Sequence, residues 1–553
     1  MNNFSRNHMY KKSTAQSSIF DAELYLKDAL PENDWSYVYR DKILPLIDED
    51  EFKHLYSQEK GRPNSSIKMM LSLLIFMGLE RHVWRTVEFQ FPRRIDWMIA
   101  TNAQIGNAFI DHVTLFKFYQ RLENDETAGK LFSTITTKFI ELCGTSIKKQ
   151  RTDSFFVHGW LQNLSRYGLF KETIRKFLYT LRKQKQGLYE NIKGELSKRY
   201  LDEDFDLTEK DKEKARRRVS EMATDLYKII IAFENHKQIK HYETFKVLKQ
   251  VFEQQCEVKQ EPDNQELEIT FKDKPDKKAI NTPHNPQAQY KRKGKQQVTG
   301  DVAFATETCD KNNKTQFITD VKLSEISEHD STQQPKIQER LINNNLKPEK
   351  QYADAGFVNG KTIKQSKANG IELEGPTAGR SQSFESYESS ERIFDAGDFD
   401  TTYDNNSGEL IVNKCPESNK AIDQQKSKKT GKLKVHFDTG ICAVCPKKNL
   451  CPVRIGKRVT TYTVSEEEYV GAIRHHKYMN NTEYRKECAI RAGAESLVSE
   501  LTRAHGMRKS RHRERKRTEL QLIFASLACN VKRFIAHWDK YGLSEIKPAY
   551  KCA

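Results

Sequence analysis

One short strand-like run, KKQRTDSFFVHGW around Asp153, stands between two long helical stretches and constrains the fold more than any other feature. Residues from about Asp41 to Gly144 read as helical before it, and the pattern from Phe170 to Gln255 is helical after it. A lone strand leaves its backbone N–H and C=O groups without partners, so it must pair with segments far along the chain. The next strand-like runs are Val298 to Thr308 and Gln316 to Leu323. The turn between them, DKNNK, supplies Asn312 and Asn313 and predicts a hairpin. A helical piece, IQERLINNNL, then leads to the strand QYADAGF. The sheet therefore has to close across an insertion, which makes this an α/β core.

The helical stretches carry ordinary core stripes. Leu131, Phe132, Ile135, Phe139 and Leu142 share one face; Phe170, Ile174, Phe177, Leu178 and Leu181 share another; Val219, Met222, Leu226, Ile230 and Phe233 make a third. Met69 to Leu79 reads as a buried core helix, too short for a bilayer span, which needs about 18 apolar residues. The start, MNNFSRNHMYKKS, has no apolar run after its charges and so no secretory signal. Residues from about Glu257 to Gln297 hold Pro262, Pro275, Pro283 and Pro286 among many Lys and read as a linker. A polar stretch from Ser381 to Gly408 opens a Cys-containing insert that ends near Arg458, and the part from Asn480 onward is helical and very basic.

Composition narrows the partner. Lys and Arg number 93 against 76 Asp and Glu, a formal net charge of +17 over 553 residues. Basic surface gains free energy by releasing counterions from phosphates, so nucleic acid is the first expectation and a Lys-rich soluble enzyme the bland one. The ten Cys are mostly single, which is not a disulfide framework and implies a reducing, intracellular setting.

For chemistry, the sequence has no phosphate-cradling Gly loop, no G-x-S-x-G elbow and no H-E-x-x-H helix. It offers carboxylates at strand ends. Asp153 sits beside Phe155, Phe156 and Val157; Asp354 ends the run YAD before Ala355 and Gly356; Glu495 lies in a helix with Ala489, Ile490, Leu497, Val498 and Leu501 on its apolar side. Three such carboxylates can converge on hard divalent cations, which prefer oxygen ligands. Two ions about 3.5–4 Å apart activate an attacking oxygen and stabilise a leaving one in phosphodiester chemistry. Asp301, Asp320 and Asp330 are rivals that spacing does not dismiss.

The segments RTDSFFV, TGDVAFATETCD, QYADAGFVNG and IRAGAESLVSELTRAHGMRKSRHR, in that order, resemble the DDE transposases of bacterial insertion sequences. The similarity runs from about Asp41 to Trp538 and includes a helical N-terminal domain found in one branch of these enzymes. It implies an RNase H-like mixed sheet with flanking helices. In that family the first Asp lies on the first strand, the second follows the fourth strand and the Glu is on a later helix. Those positions match Asp153, Asp354 and Glu495, which would hold Mg²⁺ or Mn²⁺. Arg491 would steady the scissile phosphate or order the carboxylates. A related branch carries Tyr, Arg, Glu and Lys in this helix; here Arg491 and Glu495 fit, but Cys488 and Thr502 stand at the Tyr and Lys positions, with Arg503 one residue beyond. The Gly usual after the Arg-rich turn is Glu514. The resemblance further implies double-stranded DNA as partner, at terminal inverted repeats and target, a homodimer on paired ends, and cytoplasmic, nucleoid-associated action without membrane or small-molecule substrate. A non-catalytic DNA-binding descendant and a nuclease on the same fold are the alternatives.

Between Arg503 and Arg517 stand Arg503, Arg508, Lys509, Arg511, Arg513, Arg515, Lys516 and Arg517, against Glu514 alone. So one-sided a cluster repels itself unless a polyanion is near, and it adjoins Glu495, so it reads as DNA-contacting. Lys291, Arg292, Lys293 and Lys295 form a second, weaker basic group. Trp84 with Arg85 and the pattern HVTLFKFYQRL could stack on DNA but at helical spacing read as core. Cys442, Cys445 and Cys451 form C-x2-C-x5-C, with Cys415 upstream and Pro after three of the four. Four thiolates suit a tetrahedral structural Zn²⁺; unliganded thiols or an iron–sulfur cluster are the other readings.

The expected domain plan is a flexible N-terminus over 1–40 and a helical DNA-binding domain over 41–144. The first part of the core spans 145–160 and 297–380, interrupted by a helical insertion and basic linker over 161–296. The Cys-containing insertion covers 381–475, and 476–553 completes the core with Glu495 and the basic helices.

Overall fold

The computed structural model describes residues 8–12, 20–21, 29–57, 61–160, 164–202, 209, 211–260, 267–272, 279–286, 289–293, 296–377, 392–404 and 407–542. Lys295 and much of the polar stretch opening the Cys-containing insert lie outside them. So does Cys552.

Asp153 falls on the central strand of a mixed sheet. Strand β1 (Lys149–His158) pairs antiparallel with β3 (Gln296–Thr308) from Gln150↔Thr308 to His158↔Gly300. On its other side it pairs parallel with β5 (Lys350–Tyr352), which pairs parallel with β6 (Glu372–Glu374). The far edge of β3 is shared: β2 (Gln289–Lys293) covers Gln296 to Gly300, and β4 (Ile318–Glu325) covers Asp301 to Glu307. The expected hairpin is therefore present as β3–β4. The expected linker is not featureless. Its β2 joins the core sheet, and Cys256–Gln260 pairs with Leu267–Phe271 in a separate hairpin. Of the linker's four prolines, Pro283 and Pro286 precede β2, while Pro262 and Pro275 lie outside the described residues.

Helices cover both faces of the sheet. On one face α9 (Asp330–Asn343) meets an unusual polar seam: Gln334 and Gln338 donate to Gln351, Gln351 donates to Thr152, and Thr152 bonds Thr306 across β1 and β3. These side chains are buried, and apart from the Gln334 Oε1 oxygen, which is buried without a partner, the seam links helix to sheet by hydrogen bonds and so fixes the register of β5 against β1 as well as packing it. The opposite face receives the 27-residue helix α14 (Arg515–Tyr541) and the rod that carries Glu495.

α14 also packs on the N-terminal helices α1 (Ile67–Glu80) and α5 (Thr127–Leu142), where Phe139 stacks on Phe534 with centroids 4.2 Å apart. One continuous apolar core therefore runs from Tyr39 through the sheet to Ile535. Of the stripe on α5, Leu142 is the exception, 52% exposed at the helix end. The helical insertion, with α6 (Arg166–Gln184), α7 (Lys212–Phe233) and α8 (Glu243–Gln255), has its own core around Phe170, Phe177, Leu226 and Phe245. The Cys-containing insertion is a third body: hairpin β7 (Asp400–Tyr403) with β8 (Leu410–Lys414), and a four-stranded antiparallel sheet of β9 (Asp423–Lys426), β10 (Leu433–Phe437), β11 (Arg454–Ile455) and β12 (Thr460–Val464). Phe399 stacked on Tyr462 and the buried Val435 and Phe437 form its small core.

Candidate active site

The last parallel pair between β1 and β5 is Arg151↔Tyr352; Asp153 stands two residues further along β1, and Asp354 two residues past Tyr352, where β5 has ended. Alternation along β1 puts the Asp153 side chain on the same face as that of Arg151. Asp153 is half-buried and Asp354 exposed. At Asp354 the chain departs from β1, because Ala353 donates to the Glu374 carbonyl and Phe357 turns back to the Asp354 carbonyl. In chain order β5 is the fourth of the strands β1, β3, β4, β5 and β6 that make the core sheet beside the edge strand β2.

The third carboxylate arrives on a rod from Thr482 to Ala504, which narrows to a tighter turn over Ala489–Gly493 and widens over Glu500–Ala504. Arg491 reaches from it to Asp354, Nη1 donating to Oδ1 at 2.5 Å. Glu495, four residues on, shares the Arg491 face and is exposed, while Leu497 and Leu501 are buried beneath. Arg491 thus ties the Glu495 rod to Asp354, while the oxygens of Asp153, Asp354 and Glu495 form none of the tight clusters, within 4.8 Å, found among the described residues. The donor set is oxygen alone, which fits Mg²⁺ or Mn²⁺.

A buried ionic chain fixes the rod. Arg151 donates from Nη1 to the Ile490 carbonyl at 3.0 Å and from Nη2 to Glu307 Oε1 at 2.7 Å. Arg533 of α14 takes the other oxygen, Oε2, at 2.8 Å and also donates to Glu500 at 2.8 Å. Glu307 is 1% exposed. Burial would raise the Glu500 carboxyl, but the Arg533 guanidinium holds it below its ordinary value. Gly493 lets this chain form, since a Cβ there would sit 1.8 Å from Arg151 Nη1. None of these four contacts had a signal in the sequence.

The rivals separate. Asp320 is buried and held by both arms of Arg340, at 2.8 and 2.7 Å. Asp301 is 2% exposed and bonded by Arg515; burial pushes its carboxyl up and Arg515 pulls it back. Asp330 is the one near the site, because its carboxylate lies against Gly356, where a Cβ would come within 2.5 Å of Oδ2.

The basic run does not lie open as a single face. Arg511 donates to the carbonyls of His82 and Arg81, Arg515 bonds Asp301 and Glu325, Arg517 bonds Glu123, and Lys516 bonds Asn124. Carboxylates and carbonyls brought from elsewhere in the chain turn these side chains into fasteners for the N-terminal helices and β3. Arg503, Arg508, Lys509 and Arg513 remain exposed, as does Lys516 with its bond to Asn124. The loop carrying three of them is stitched to the end of β1, with His158 donating to the Arg508 carbonyl and Ser510 to the His158 carbonyl. His158 is five residue steps along the strand from Asp153, roughly 16 Å. Trp84 and the α4 helix (His112–Leu122) are packing elements here: Trp84 meets Phe116 and Tyr119 edge-on, and Tyr119 stacks on His512. Lys291 lies over Phe156, 5.8 Å from the ring centre. At the family's Tyr position Cys488 is buried, and Thr502 returns its hydroxyl to the Val498 carbonyl.

Cys415, Cys442, Cys445 and Cys451 line one small cleft of about 30 Å³ with Phe394, Phe437 and Val453. The Asn419 N–H donates to Cys415 Sγ at 3.3 Å. Burial pushes the Cys451 thiol up to about 11 and the neighbouring thiols add to it. No three of these sulfurs come within 4.8 Å of one another. Four sulfur donors in one cleft are nonetheless a donor set that suits Zn²⁺.

The sheet thus carries Asp153 on its central strand and Asp354 just past β5, with the Glu495 rod tied to Asp354 through Arg491 and a basic loop at the end of β1. Comparison with protein families finds matches at both ends of the chain. Residues 414–535 match the family model of a transposase DDE domain, and residues 24–121 match a transposase domain model (DUF772). No curated protein and no solved structure matches the chain. The two matches support a DDE-type transposase of an insertion sequence, as the resemblance implied. The first match contains Glu495, Arg491 and the basic run, while Asp153 and Asp354 lie outside both.

Proposed function

We propose that this chain cuts DNA at the terminal inverted repeats of its own element and joins the freed ends to target DNA. The observation that carries the reading is the bond from Arg491 to Asp354, which docks the Glu495 rod where β5 ends beside the Asp153 strand. Asp153, Asp354 and Glu495 would hold Mg²⁺ or Mn²⁺, and such ions activate an attacking oxygen and stabilise the leaving one. Arg491 orders Asp354 in the DNA-free protein and is placed to turn to the scissile phosphate when DNA arrives. Arg503, Arg508, Lys509 and Arg513 contact phosphates and position the duplex without reading its sequence.

The remaining roles follow the same reading. The chain acts as a homodimer on paired ends, in the cytoplasm on nucleoid DNA; no helix among the described residues is long and apolar enough to cross a membrane. Residues 41–144 bind element ends, 161–296 and 381–475 are insertions in the 145–380 and 476–553 core, and the four cysteines hold a structural Zn²⁺.

The test is a nicking assay on end-labelled DNA from the gene's own flanks, in Mg²⁺ and in EDTA. Wild type is compared with Asp153→Asn, Asp354→Asn and Glu495→Gln. Metal-dependent cleavage at one boundary, lost in all three variants, is expected. Activity persisting in Asp153→Asn but lost in Asp330→Asn would reassign the site. Tight binding without any cleavage would leave a DNA-binding protein, and cleavage without joined product a nuclease.

A further inference from the structure

The helical insertion carries a feature its core does not explain. Helix α6 places Arg175, Tyr179 and Arg182 at i, i+4 and i+7, on one face. Tyr179 is 37% exposed, and both guanidiniums lie over its ring, Arg175 at 5.2 Å and Arg182 at 4.9 Å from the centroid. Arg175 Nη2 also donates to the Tyr179 hydroxyl at 3.4 Å. From Arg166 to Lys185 there are seven basic residues and one acidic residue, Glu172. Glu172 is buried and already bonded to His284, with Arg175 at 3.5 Å. Its charge is shared at the root of the helix and leaves the outer turns positive.

Position adds direction to the charge. His284, the partner of Glu172, lines the same small cleft as Arg513 and Trp160. Lys176 anchors α6 to the Pro283 carbonyl at 2.8 Å. The stripe on α6 therefore begins where the exposed basic loop of Arg508, Lys509 and Arg513 ends. An aromatic ring between two guanidiniums holds both outstretched, so little side-chain freedom remains to be lost when each takes a phosphate.

We propose that α6 is a second DNA-contacting arm, in which Arg175 and Arg182 neutralise backbone phosphates of the duplex already held by Arg508, Lys509 and Arg513. The proposal rests on the reading that duplex DNA is this protein's substrate. It gives the helical insertion a role in holding flanking DNA away from the carboxylates.

The experiment is a salt series of binding constants with the full chain and two labelled duplexes, one from the gene's flank and one scrambled. Wild type is compared with R175A/R182A, R175K/R182K and R513A. Each lost phosphate contact lowers the slope of log K against log salt by about 0.9, so R175A/R182A should lower it by nearly two on both duplexes. R175K/R182K should keep the wild-type slope. A wild-type slope in R175A/R182A beside a lowered slope in R513A would overturn the proposal alone. No salt-dependent binding by wild type would overturn it together with the reading of DNA as substrate. Arg182 and Arg513 are exposed and Arg175 is half-buried against Glu172, so an unchanged melting temperature is required to show that the variants are folded.

Discussion

Glu307 shows how much one residue can govern at a distance from the chemistry. Its two oxygens are divided between Arg151, two residues before Asp153, and Arg533 of α14. Losing one partner of a buried ionic set costs about 3–5 kcal/mol, because the remaining charges stay buried without compensation. Glu307→Gln should therefore lower the unfolding midpoint markedly. It should also speed hydrogen exchange over residues 489–504, since both guanidiniums that brace the Glu495 rod lose their shared anchor. An unchanged midpoint with unchanged exchange would show that the Ile490 carbonyl and Glu500 suffice. Cysteines legible by spacing had the opposite fate to Glu307: their pattern marked them, while nothing in the neighbourhood of Glu307 did.

At the scale of elements, the Cys-containing insertion has a core of only a few buried side chains, among them Val435, Phe437 and Tyr462. So small a core gains from a metal staple. Replacing Cys442 and Cys445 by Ser should release about one Zn²⁺ per chain, in keeping with one four-ligand site, and lower the melting temperature of this part. Purified wild-type protein with no bound metal would remove the idea. The rod that carries Glu495 depends on a different device. Arg151 lies where a side chain on Gly493 would have to go, so the rod can approach β1 only with glycine at that point. The amide seam from Gln338 to Thr306 acts on the other face, holding β5 in register with β1 as far as Arg151↔Tyr352, two residues before Asp153 and Asp354.

On the scale of the whole molecule, the N-terminal helices and the basic loop are joined through His512, packed against Tyr119 and Trp84. Burial first, then Arg517 and Arg511, depress His512 from 6.5 to about 4. A histidine whose folded value is depressed is neutral in both states above its unfolded value, so the full stability is present at neutral pH. Below about 6.5 the unfolded chain takes up a proton that the folded chain refuses, and stability falls until pH reaches about 4. The span corresponds to a loss on the order of 3 kcal/mol. Urea unfolding at pH 7 and pH 5 should show a lower midpoint at pH 5, and His512→Phe should remove part of that difference, since burial also depresses His158, His475 and His505. An equal pH dependence in the two proteins would assign it to other groups.

The sequence by itself determined what is local. Hydrophobic period separated helices from strands, the turn Asn312–Asn313 marked the β3–β4 hairpin, and carboxylates at strand ends, cysteine spacing and the basic run each left a short-range pattern. The ordered motifs from RTDSFFV to MRKSRHR carried the family. Only the tertiary structure decided what depends on partners far apart in the chain: the bond from Arg491 to Asp354, the glycine beneath the Glu495 rod, and the retirement of Asp301 and Asp320 into ion pairs. It also divided the arginines of the basic run. An arginine turns inward only where a carboxylate or carbonyl from another segment awaits it, as Asp301, Glu123 and His82 do here, and no periodicity along the chain records that meeting.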